Sequence, residues 1–281
     1  MRLENVWRGE GFSRWVGRLL FAAGVLFVLS FLARQMVFFP ARYPEGLWDL
    51  QSRFVAEDVF LTGPDGVNIH GWLIPAVTPD PGVTTLYLHG NAGNLTHRVD
   101  HITQITRAGS ELLIVDYRGY GKSEGAPSEE GLYLDAAAAY DWLAAQGRRT
   151  IILHGESLGT VPAVELATRR EAAALILEAP FPSAKAVAQQ VLPLLGPLIV
   201  SGFETAARIP HVGCPVFVMH GDRDEVIAYK LGKEVFEAGF QPKEMWTVEG
   251  AGHNDIVAAS GEAYGSMLRR IYADASRGAA R

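Results

Sequence analysis

Cysteine and positive charge are the two things this sequence has little of. Its 281 residues contain one cysteine, Cys214, which excludes an internal disulfide and a zinc site with two thiolate ligands. Lysine and arginine number 25 against 31 acidic residues, a formal net charge of −6, so nucleic acid is not expected as a partner. Hydrophobic residues make up 48% of the chain and charged residues 20%, which excludes a disordered protein.

Long apolar runs are also scarce, and the one that exists lies near the N-terminus. Residues 19–33 read LLFAAGVLFVLSFLA, shorter than the ~20 residues needed to cross a bilayer. Neighbouring apolar residues, with arginines able to snorkel to the headgroups, extend the run to 16–38. We therefore predict a tail over 1–15, a single-pass transmembrane anchor over 16–38 and a linker over 39–49, where Pro40 and Pro44 interrupt any helix.

A signal peptide and a buried core helix are the alternatives for this run. Four arginines precede it, as in a signal peptide, but cleavage after Ala33 would leave the bulky Phe31 at position −3. A core helix would carry a polar stripe, which the run lacks. The preceding arginines weakly favour a cytoplasmic N-terminus, which would place the main domain on the extracytoplasmic side.

From residue 50 onward, β-rich runs alternate with helical stretches. This alternation predicts right-handed crossovers and a mostly parallel sheet with helices on both faces, in one α/β domain over 50–281. Residues 182–214 interrupt the pattern and predict a short lid, which an anchor would hold near the headgroups. Strands are predicted over 55–61, 67–74, 84–90, 111–117, 150–155, 174–180, 215–221 and 245–250, and helices over 95–108, 128–146, 161–168, 228–238 and 255–273.

The pentapeptide GESLG at 155–159 has the form G-x-S-x-G. It lies between a predicted strand and a predicted helix, the context in which a nucleophilic serine occupies a strained turn that small flanking residues permit. This context predicts Ser157 as a nucleophile. A buried turn serine is the alternative, which the strand and helix disfavour.

A nucleophilic serine needs a base, and the base needs an orienting acid. His253 lies in a glycine-rich loop after the last predicted strand, C-terminal to the serine and acid as the order Ser…Asp…His requires. His97 and His101 are spaced i, i+4, but the pair lacks the glutamate of H-E-x-x-H and is predicted to form a solvated helix face, not a metal site. The other histidines are explained by their positions. His89, His154 and His220 are assigned to packing at strand ends, His70 to an early hairpin strand and His211 to the lid.

The acid is expected in HGDRDEVI, after the strand before the histidine loop. Asp224 is the predicted acid, Asp222 a structural turn residue and Glu225 the alternative. The loop HGNAGN at 89–94 predicts an oxyanion hole in which the N–H of Asn91 is paired with that of Leu158, the residue after the nucleophile. Neither a phosphate-binding loop nor a dinucleotide fingerprint matches this loop, so no nucleotide cofactor is expected.

Together, HGNAGN, DYRGYGKSEG (116–125), GESLG, HGDRDEVI and GAGHND resemble the α/β-hydrolase superfamily. They are most similar to the small membrane-anchored serine hydrolases of the bud-emergence and abhydrolase-domain type, over about residues 50–275. The resemblance implies an eight-stranded sheet, an ester-type substrate and no cofactor or metal. Serine at position 157 argues against the epoxide-hydrolase and dehalogenase branches, and HGNAG differs from the HGGG of many lipases.

The sequence therefore predicts a membrane-anchored serine hydrolase that cleaves carboxylic ester or thioester bonds through an acyl-enzyme. Its expected partners are a small-molecule or lipid acyl ester and, through the N-terminal segment, a bilayer; the oligomeric state is left open. The alternatives are a serine peptidase on the same fold and a non-catalytic hydrolase-like scaffold that binds a partner.

Overall fold

The computed structural model describes residues 14–21, 24, 37–78, 82–240 and 242–279. Residues 14–21 are helical, and most of the predicted anchor over 16–38 lies outside the described residues. Among the helices that the structure describes, none combines the length and hydrophobicity needed to cross a membrane.

An eight-stranded sheet forms the centre of the domain, in the order β10-β9-β8-β7-β4-β6-β3-β2. The strands β2 and β3 form an antiparallel hairpin, β3 pairs antiparallel with β6, and every other pair in the sheet is parallel. The prediction of a mostly parallel sheet is therefore confirmed. The strands are β1 (Phe39–Pro40), β2 (Glu57–Thr62), β3 (Asn68–Ile74), β4 (Thr84–Leu88), β5 (Ala92–Gly93), β6 (Glu111–Val115), β7 (Ile151–Glu156), β8 (Ala174–Glu178), β9 (Val216–Gly221) and β10 (Lys243–Val248).

The five predicted helices are present with adjusted ends, and further helices that were not predicted lie over 50–53 and within the predicted lid. Ser128 caps α3, its hydroxyl accepting a hydrogen bond from the N–H of Gly131 at 3.0 Å. The final predicted helix is two helices, because Gly261 adopts a φ of +54° between them. The helices are α1 (Leu50–Arg53), α2 (Val99–Arg107), α3 (Glu129–Ala145), α4 (Thr160–Ala167), α5 (Ala184–Val191), α6 (Gly196–Ile199), α7 (Thr205–Arg208), α8 (Tyr229–Ala238), α9 (Ile256–Ser260) and α10 (Glu262–Ala279).

The central strands are buried on both faces, as their continuous apolar runs predict. In β4, Leu86 and Leu88 contribute to the core shared with α3, α4 and α8, whereas Tyr87 contributes to the core shared with α2, α9 and α10. This alternation follows from the two-residue period of a strand. Helices therefore cover both faces of the sheet.

Residues 37–49, here called the N-terminal strap, pack on the domain, although 37–38 were predicted as the end of the membrane anchor and 39–49 as a linker. Strand β1 pairs in parallel with β5, and the N–H of Ala41 donates to the carbonyl of Gly93 at 2.9 Å. The N–H of Leu47 donates to Oγ1 of Thr96 at 2.8 Å. The two prolines prevent a helix, as expected, but an extended segment can still pair with a strand edge, and this one does.

The predicted lid over 182–214 contains α5, α6 and α7 and no sheet strand. Its first helix is capped by Ser183, whose hydroxyl accepts from the N–H of Ala186 at 3.2 Å. Several of its apolar side chains are exposed, namely those of Val191, Leu192, Leu194, Leu195 and Leu198. The lid follows β8 and lies at the carboxyl end of the parallel strands, where ligand sites of open α/β sheets form.

Candidate active site

Ser157 directly follows β7 in a tight turn that leads into α4. Its φ is +50°, a left-handed conformation that is strained for a residue with a side chain. The flanking glycines make the turn possible. A Cβ on Gly155 would lie 2.5 Å from the carbonyl oxygen of Gly159, and a Cβ on Gly159 would lie 1.8 Å from that of Leu88. Gly155 is thus required by the tightness of the turn itself, and Gly159 by its packing against the end of β4.

The structure brings Ser157, His253 and Asp224 together in one line of contacts. The Nε2 atom of His253 lies 3.0 Å from Oγ of Ser157, and its Nδ1 atom lies 2.8 Å from Oδ2 of Asp224. With the imidazole proton on Nδ1, His253 donates to the carboxylate and accepts from the serine hydroxyl. This arrangement allows the imidazole to take a proton from Ser157 while the carboxylate stabilises the resulting positive charge.

The carboxylate of Asp224 is held from several directions. Its Oδ1 atom accepts from the N–H groups of Val226 at 2.9 Å and Ile227 at 2.7 Å. Its Oδ2 atom also lies 3.2 Å from Nε2 of His220, which donates to the carbonyl of Ile227 at 2.8 Å. Burial alone raises the pKa of Asp224, but the hydrogen bonds from His220 and His253 outweigh it and hold that pKa well below its usual range. Asp224 therefore stays ionised and in place.

The neighbouring carboxylates have other positions. Oδ1 of Asp222 accepts from the N–H of Gly250 at 2.6 Å, which ties the turn after β9 to the loop after β10. The carboxylate of Glu225 lies beside Gly252, where an added Cβ would be 2.8 Å from Oε2 of Glu225. Of these three acids, Asp224 is the one that contacts the His253 ring in the described part of the chain.

The predicted oxyanion loop lies beside Ser157, and its Asn91 side chain is fixed to the strap. Oδ1 of Asn91 accepts from the hydroxyl of Tyr120 at 2.9 Å and from the N–H of Phe39 at 3.2 Å, while Nδ2 donates to the carbonyl of Val37 at 2.5 Å. Within the described residues, the backbone N–H of Asn91 donates to no acceptor. It is therefore available to a ligand.

Glu156, between the first glycine and the serine, is largely covered by the same loop, with 17% of its side chain exposed. Oε2 of Glu156 accepts from the hydroxyl of Tyr87 at 2.7 Å and from the N–H of Gly90 at 3.2 Å, and it lies 2.9 Å from Nε of Arg98. Burial alone raises the pKa of Glu156, but the positive charge of Arg98 lowers it to about 2. The ionised side chain of Glu156 therefore connects the nucleophile turn to the loop.

A second buried polar cluster centres on Glu178, at the end of β8. It accepts from His154 at 2.5 Å, from His101 at 3.2 Å and from the hydroxyl of Tyr264. Burial raises the pKa of Glu178, but the positive charge of His101 and the hydrogen bonds from both histidines hold it well below its usual range. For His101, burial alone lowers the pKa, but the negative charge of Glu178 and its hydrogen bond outweigh burial, so the pKa of His101 is raised.

The prediction that His97 and His101 form a solvated helix face is therefore wrong for His101. Only 16% of its side chain is exposed, whereas His97 is exposed at the start of the same segment. The residues fall on different sides of the chain because His97 ends a 3₁₀ turn, and α2 begins only at Val99. Among the described residues, no group of three or more histidine, cysteine, aspartate or glutamate side chains is placed to hold a metal.

A cavity of about 500 Å³ opens onto Ser157 and His253. The lid forms one wall through Ala184, Val187 and Val200, and the strap forms another. A larger groove of about 710 Å³ lies between β2 and the helices α3 and α4, and it contains none of the predicted site residues. The apolar lining of the Ser157 cavity comprises Val37, Phe39, Ala92, Leu158, Phe181, Ala184, Val187, Ala188, Val200, Phe203, Val226 and Ile227.

Three residues of this site escaped sequence reasoning: Glu156, Arg98 and His220. A charged residue inside G-x-S-x-G, next to a buried strand, is one signal that was available, because a buried charge needs a partner. Arg98 carries no comparable signal, since its contacts depend on how the loop after β4 folds back. His220 was assigned to packing alone, yet it donates toward Asp224.

Comparison with known proteins agrees with this architecture. Residues 80–205 match the family described as "Serine aminopeptidase, S33". The chain is 34% identical over 258 residues to uncharacterized protein Rv2307c of Mycobacterium tuberculosis, covering 90% of this chain and 91% of that protein. It is 36% identical over 231 residues to human alpha/beta hydrolase domain-containing protein 17B, covering 80% of this chain and 77% of the relative.

A solved structure gives the same fold. The esterase Pf2001 of Pyrococcus furiosus superimposes with a TM-score of 0.69 at 19% identity, covering 84% of this chain and 97% of the esterase. The sheet order, the serine turn after β7 and these relatives lead to one conclusion. The chain belongs to the α/β-hydrolase superfamily.

Proposed function

We propose that this protein is a serine hydrolase that cleaves carboxylic ester or thioester bonds, with Ser157 as nucleophile, His253 as base and Asp224 as orienting acid. The observation that carries the proposal is the unbroken line of contacts from Oγ of Ser157 through the imidazole to Asp224, at 3.0 and 2.8 Å, at the mouth of an apolar cavity. Serine activation requires this geometry.

In the first half-reaction, Oγ of Ser157 attacks the substrate carbonyl carbon while its proton passes to Nε2 of His253. The tetrahedral intermediate then collapses, the bond to the leaving group breaks, and the departing alcohol or thiol takes the proton from His253. The product is an acyl group on Ser157. A water molecule repeats the sequence, giving its proton to His253, and the collapse releases a carboxylic acid and regenerates the serine hydroxyl.

The negative charge of each tetrahedral intermediate falls on the former carbonyl oxygen. We assign its stabilisation to the backbone N–H groups of Asn91 and Leu158, which line the cavity with Ser157. The support is that the N–H of Asn91 donates to no acceptor in the described part of the chain, and that Leu158 directly follows the nucleophile. Backbone donors held by the fold need no reorganisation when the charge develops.

The lining of the cavity favours an uncharged acyl group. Among the described lining residues, Glu156 is the one acidic side chain, and Arg98 already neutralises it at 2.9 Å. An aminopeptidase substrate carries a free ammonium group that needs an unpaired carboxylate. The second candidate, a serine peptidase, rests on the description of the family that matches residues 80–205. The lining of the Ser157 cavity favours an ester substrate over a peptide with a free ammonium group.

The test is a panel of p-nitrophenyl esters and acyl thioesters of increasing chain length, with an aminoacyl p-nitroanilide as the peptidase arm. We expect hydrolysis of the esters or thioesters and a loss of about 10⁴–10⁶ in kcat in Ser157→Ala. A fluorophosphonate should label the unmodified chain and not this variant. Cleavage of the anilide alone would favour the peptidase, and neither turnover nor labelling would favour the binding scaffold.

We also propose that the part of the predicted anchor that precedes the strap, residues 16–36, anchors the protein in a membrane. Its sequence supports this, as does the exposure of Leu20 (69%) and Phe21 (75%) in the described helical residues. The exposed apolar side chains of the lid, led by Leu194 at 85%, would then lie near the headgroups. Full-length protein should stay with membranes washed in carbonate, and its release by the wash would refute the anchor.

A further inference from the structure

The peptide between Gly90 and Asn91 carries two groups that matter to the site. One is the Asn91 N–H, assigned above to the oxyanion. The other is the Gly90 carbonyl, which in a planar trans peptide points in the opposite direction. Cis peptides among the described residues are confined to Tyr43–Pro44, so this peptide is trans. Any group that fixes the Gly90 carbonyl therefore also fixes the direction of the Asn91 N–H.

Arg98, which lies in the wall of the Ser157 cavity, holds that carbonyl. Its terminal nitrogen donates to the carbonyl of Gly90 at 3.3 Å and to that of Ala92 at 2.7 Å. The Nδ1 atom of His89 is a second donor to Gly90, at 2.7 Å. The Arg98 side chain is only 13% exposed, so its position is set by these contacts and not by solvent. Two carbonyls on either side of Asn91 are thus bound to one guanidinium.

Glu156 in turn holds Arg98. The Oε2 atom that lies 2.9 Å from Nε of Arg98 also accepts from the N–H of Gly90 at 3.2 Å. Glu156 directly precedes Ser157, so this one carboxylate links the oxyanion loop to the nucleophile turn. A Cβ on Gly90 would lie 2.9 Å from Oε1 of Glu156, which shows how closely the loop lies against it.

We propose that Arg98, held by Glu156, is a positioning residue that orients the Gly90–Asn91 peptide so that the Asn91 N–H is directed at the oxyanion. The proposal rests on the proposed function, which supplies the oxyanion. Arg98 acts through the peptide and not on the reacting atoms. Its planar fork reaches both the carbonyls and the carboxylate, whereas a lysine ammonium on a single stem cannot span them in the same way.

Oxyanion donors act mainly in the transition state, because the charge they stabilise is not yet present in bound substrate. Removing one donor typically costs about 10²–10³ in kcat. Misdirecting Asn91 without removing it should cost about 10–100-fold in kcat, with KM changed by no more than about threefold. A role confined to stability would not produce this division between kcat and KM.

The experiment compares Arg98→Ala and Arg98→Lys with Arg148→Ala. Arg148 is a matched control, since it pairs with Glu111 through two nitrogens at 2.9 and 2.8 Å, at a distance in the fold from the Ser157 cavity. For each variant, kcat and KM on a p-nitrophenyl ester, the inhibition constant of a trifluoromethyl ketone and Tm are measured. The ketone forms a tetrahedral adduct, so its affinity reports on the oxyanion donors.

We expect Arg98→Ala to lose kcat and ketone affinity by similar factors, Arg98→Lys to recover little of either, and Arg148→Ala to keep both. A kcat loss in Arg98→Ala no larger than that in Arg148→Ala would overturn the proposal. Full recovery in Arg98→Lys would also overturn it, because charge alone would then suffice.

A crystal structure of Arg98→Ala gives a readout that is independent of turnover. We expect the Gly90 carbonyl to rotate away from its present direction, and an unmoved peptide would overturn the proposal. Failure of the unmodified chain to hydrolyse esters or to react with fluorophosphonate is a different result. It would refute the proposed function, while the crystal structure would still decide whether Arg98 orients this peptide.

Discussion

Replacing Gly159 by alanine should separate the nucleophile turn from the oxyanion loop. The backbone of Gly159 is helical, with φ −63° and ψ −17°, so alanine meets no conformational penalty there. The obstacle is space. The new Cβ would lie 1.8 Å from the carbonyl oxygen of Leu88 and 2.8 Å from that of His89, and Cβ contacts below 3.0 Å are essentially never seen.

The backbone movement needed to relieve this clash sets the size of the expected effects on kcat and stability. Reaching 3.0 Å from the Leu88 oxygen takes at least 1.2 Å of backbone displacement. Displacement of about 1 Å can cost roughly 10²-fold in rate when it misplaces reacting groups. Overpacking of this kind also destabilises by about 1–3 kcal/mol, or more where backbone must move. For a domain of this size, that corresponds to a Tm lower by about 2–12 °C.

The matched control is Gly213→Ala. Gly213 has no heavy atom within 4 Å of an added Cβ and does not require a positive φ. Both variants are assayed for kcat on a p-nitrophenyl ester and for Tm by differential scanning fluorimetry. If Gly159→Ala matches Gly213→Ala in both measurements, the contact between the serine turn and the end of β4 is not what fixes the site.

Three further outcomes are expected. Asp224→Asn should lower kcat by about 10⁴, because the imidazole of His253 would take the wrong tautomer. Asp222→Asn keeps an oxygen for the Gly250 N–H and should change kcat little, so the reverse order in initial rates would show that the acid is misassigned. Because the pKa of His101 is raised in the folded protein, its contribution to the free energy of unfolding is complete below about pH 6.5 and is lost as the pH rises through its folded-state pKa. Because the pKa of Glu178 is lowered, its contribution is complete above about pH 4.5 and is lost as the pH falls further. Urea unfolding of native protein and His101→Gln should therefore differ most between about pH 4.5 and 6.5, and a difference that grows above pH 8 would contradict this. Residues 50–281 alone, lacking the strap that contacts Asn91, should show lower kcat than a chain that keeps the strap, and equal kcat would show that the strap leaves the oxyanion loop unaffected.

The sequence predicted the layout of the sheet because strands buried on both faces are almost uninterrupted apolar runs. The segments 111–117 and 150–155 became β6 and β7 with only small changes at the ends. The capping serine and first-turn acids of 128–146 likewise gave α3 to within a residue. These signals are local, since each depends on residues close together in the chain.

The order of motifs along the chain was also enough to select Ser157, Asp224 and His253 for one site. Parallel strands place all their carboxyl ends at one edge of the sheet, so loops far apart in sequence meet there. What the sequence does not contain is the distance between them. The 2.8 and 3.0 Å contacts of His253 depend on the packing of the turns after β9, β10 and β7.

Contacts between segments with no shared pattern were decided by tertiary structure alone. Residues 39–49 of the strap were interpreted as a linker from their two prolines, because the pairing of the two-residue strands β1 and β5 leaves no periodicity in the sequence to detect. His101 was assigned to solvent because its partner Glu178 is 77 residues away in the chain. For the same reason, the composition and spacing of 89–98 gave Arg98 no role, although its guanidinium holds both carbonyls beside Asn91. Local sequence thus determined the elements and the candidate nucleophile, acid and base. Only the folded chain determined which buried charges meet and which peptide they orient, since a charge in the interior is stable only where the tertiary structure supplies its partner.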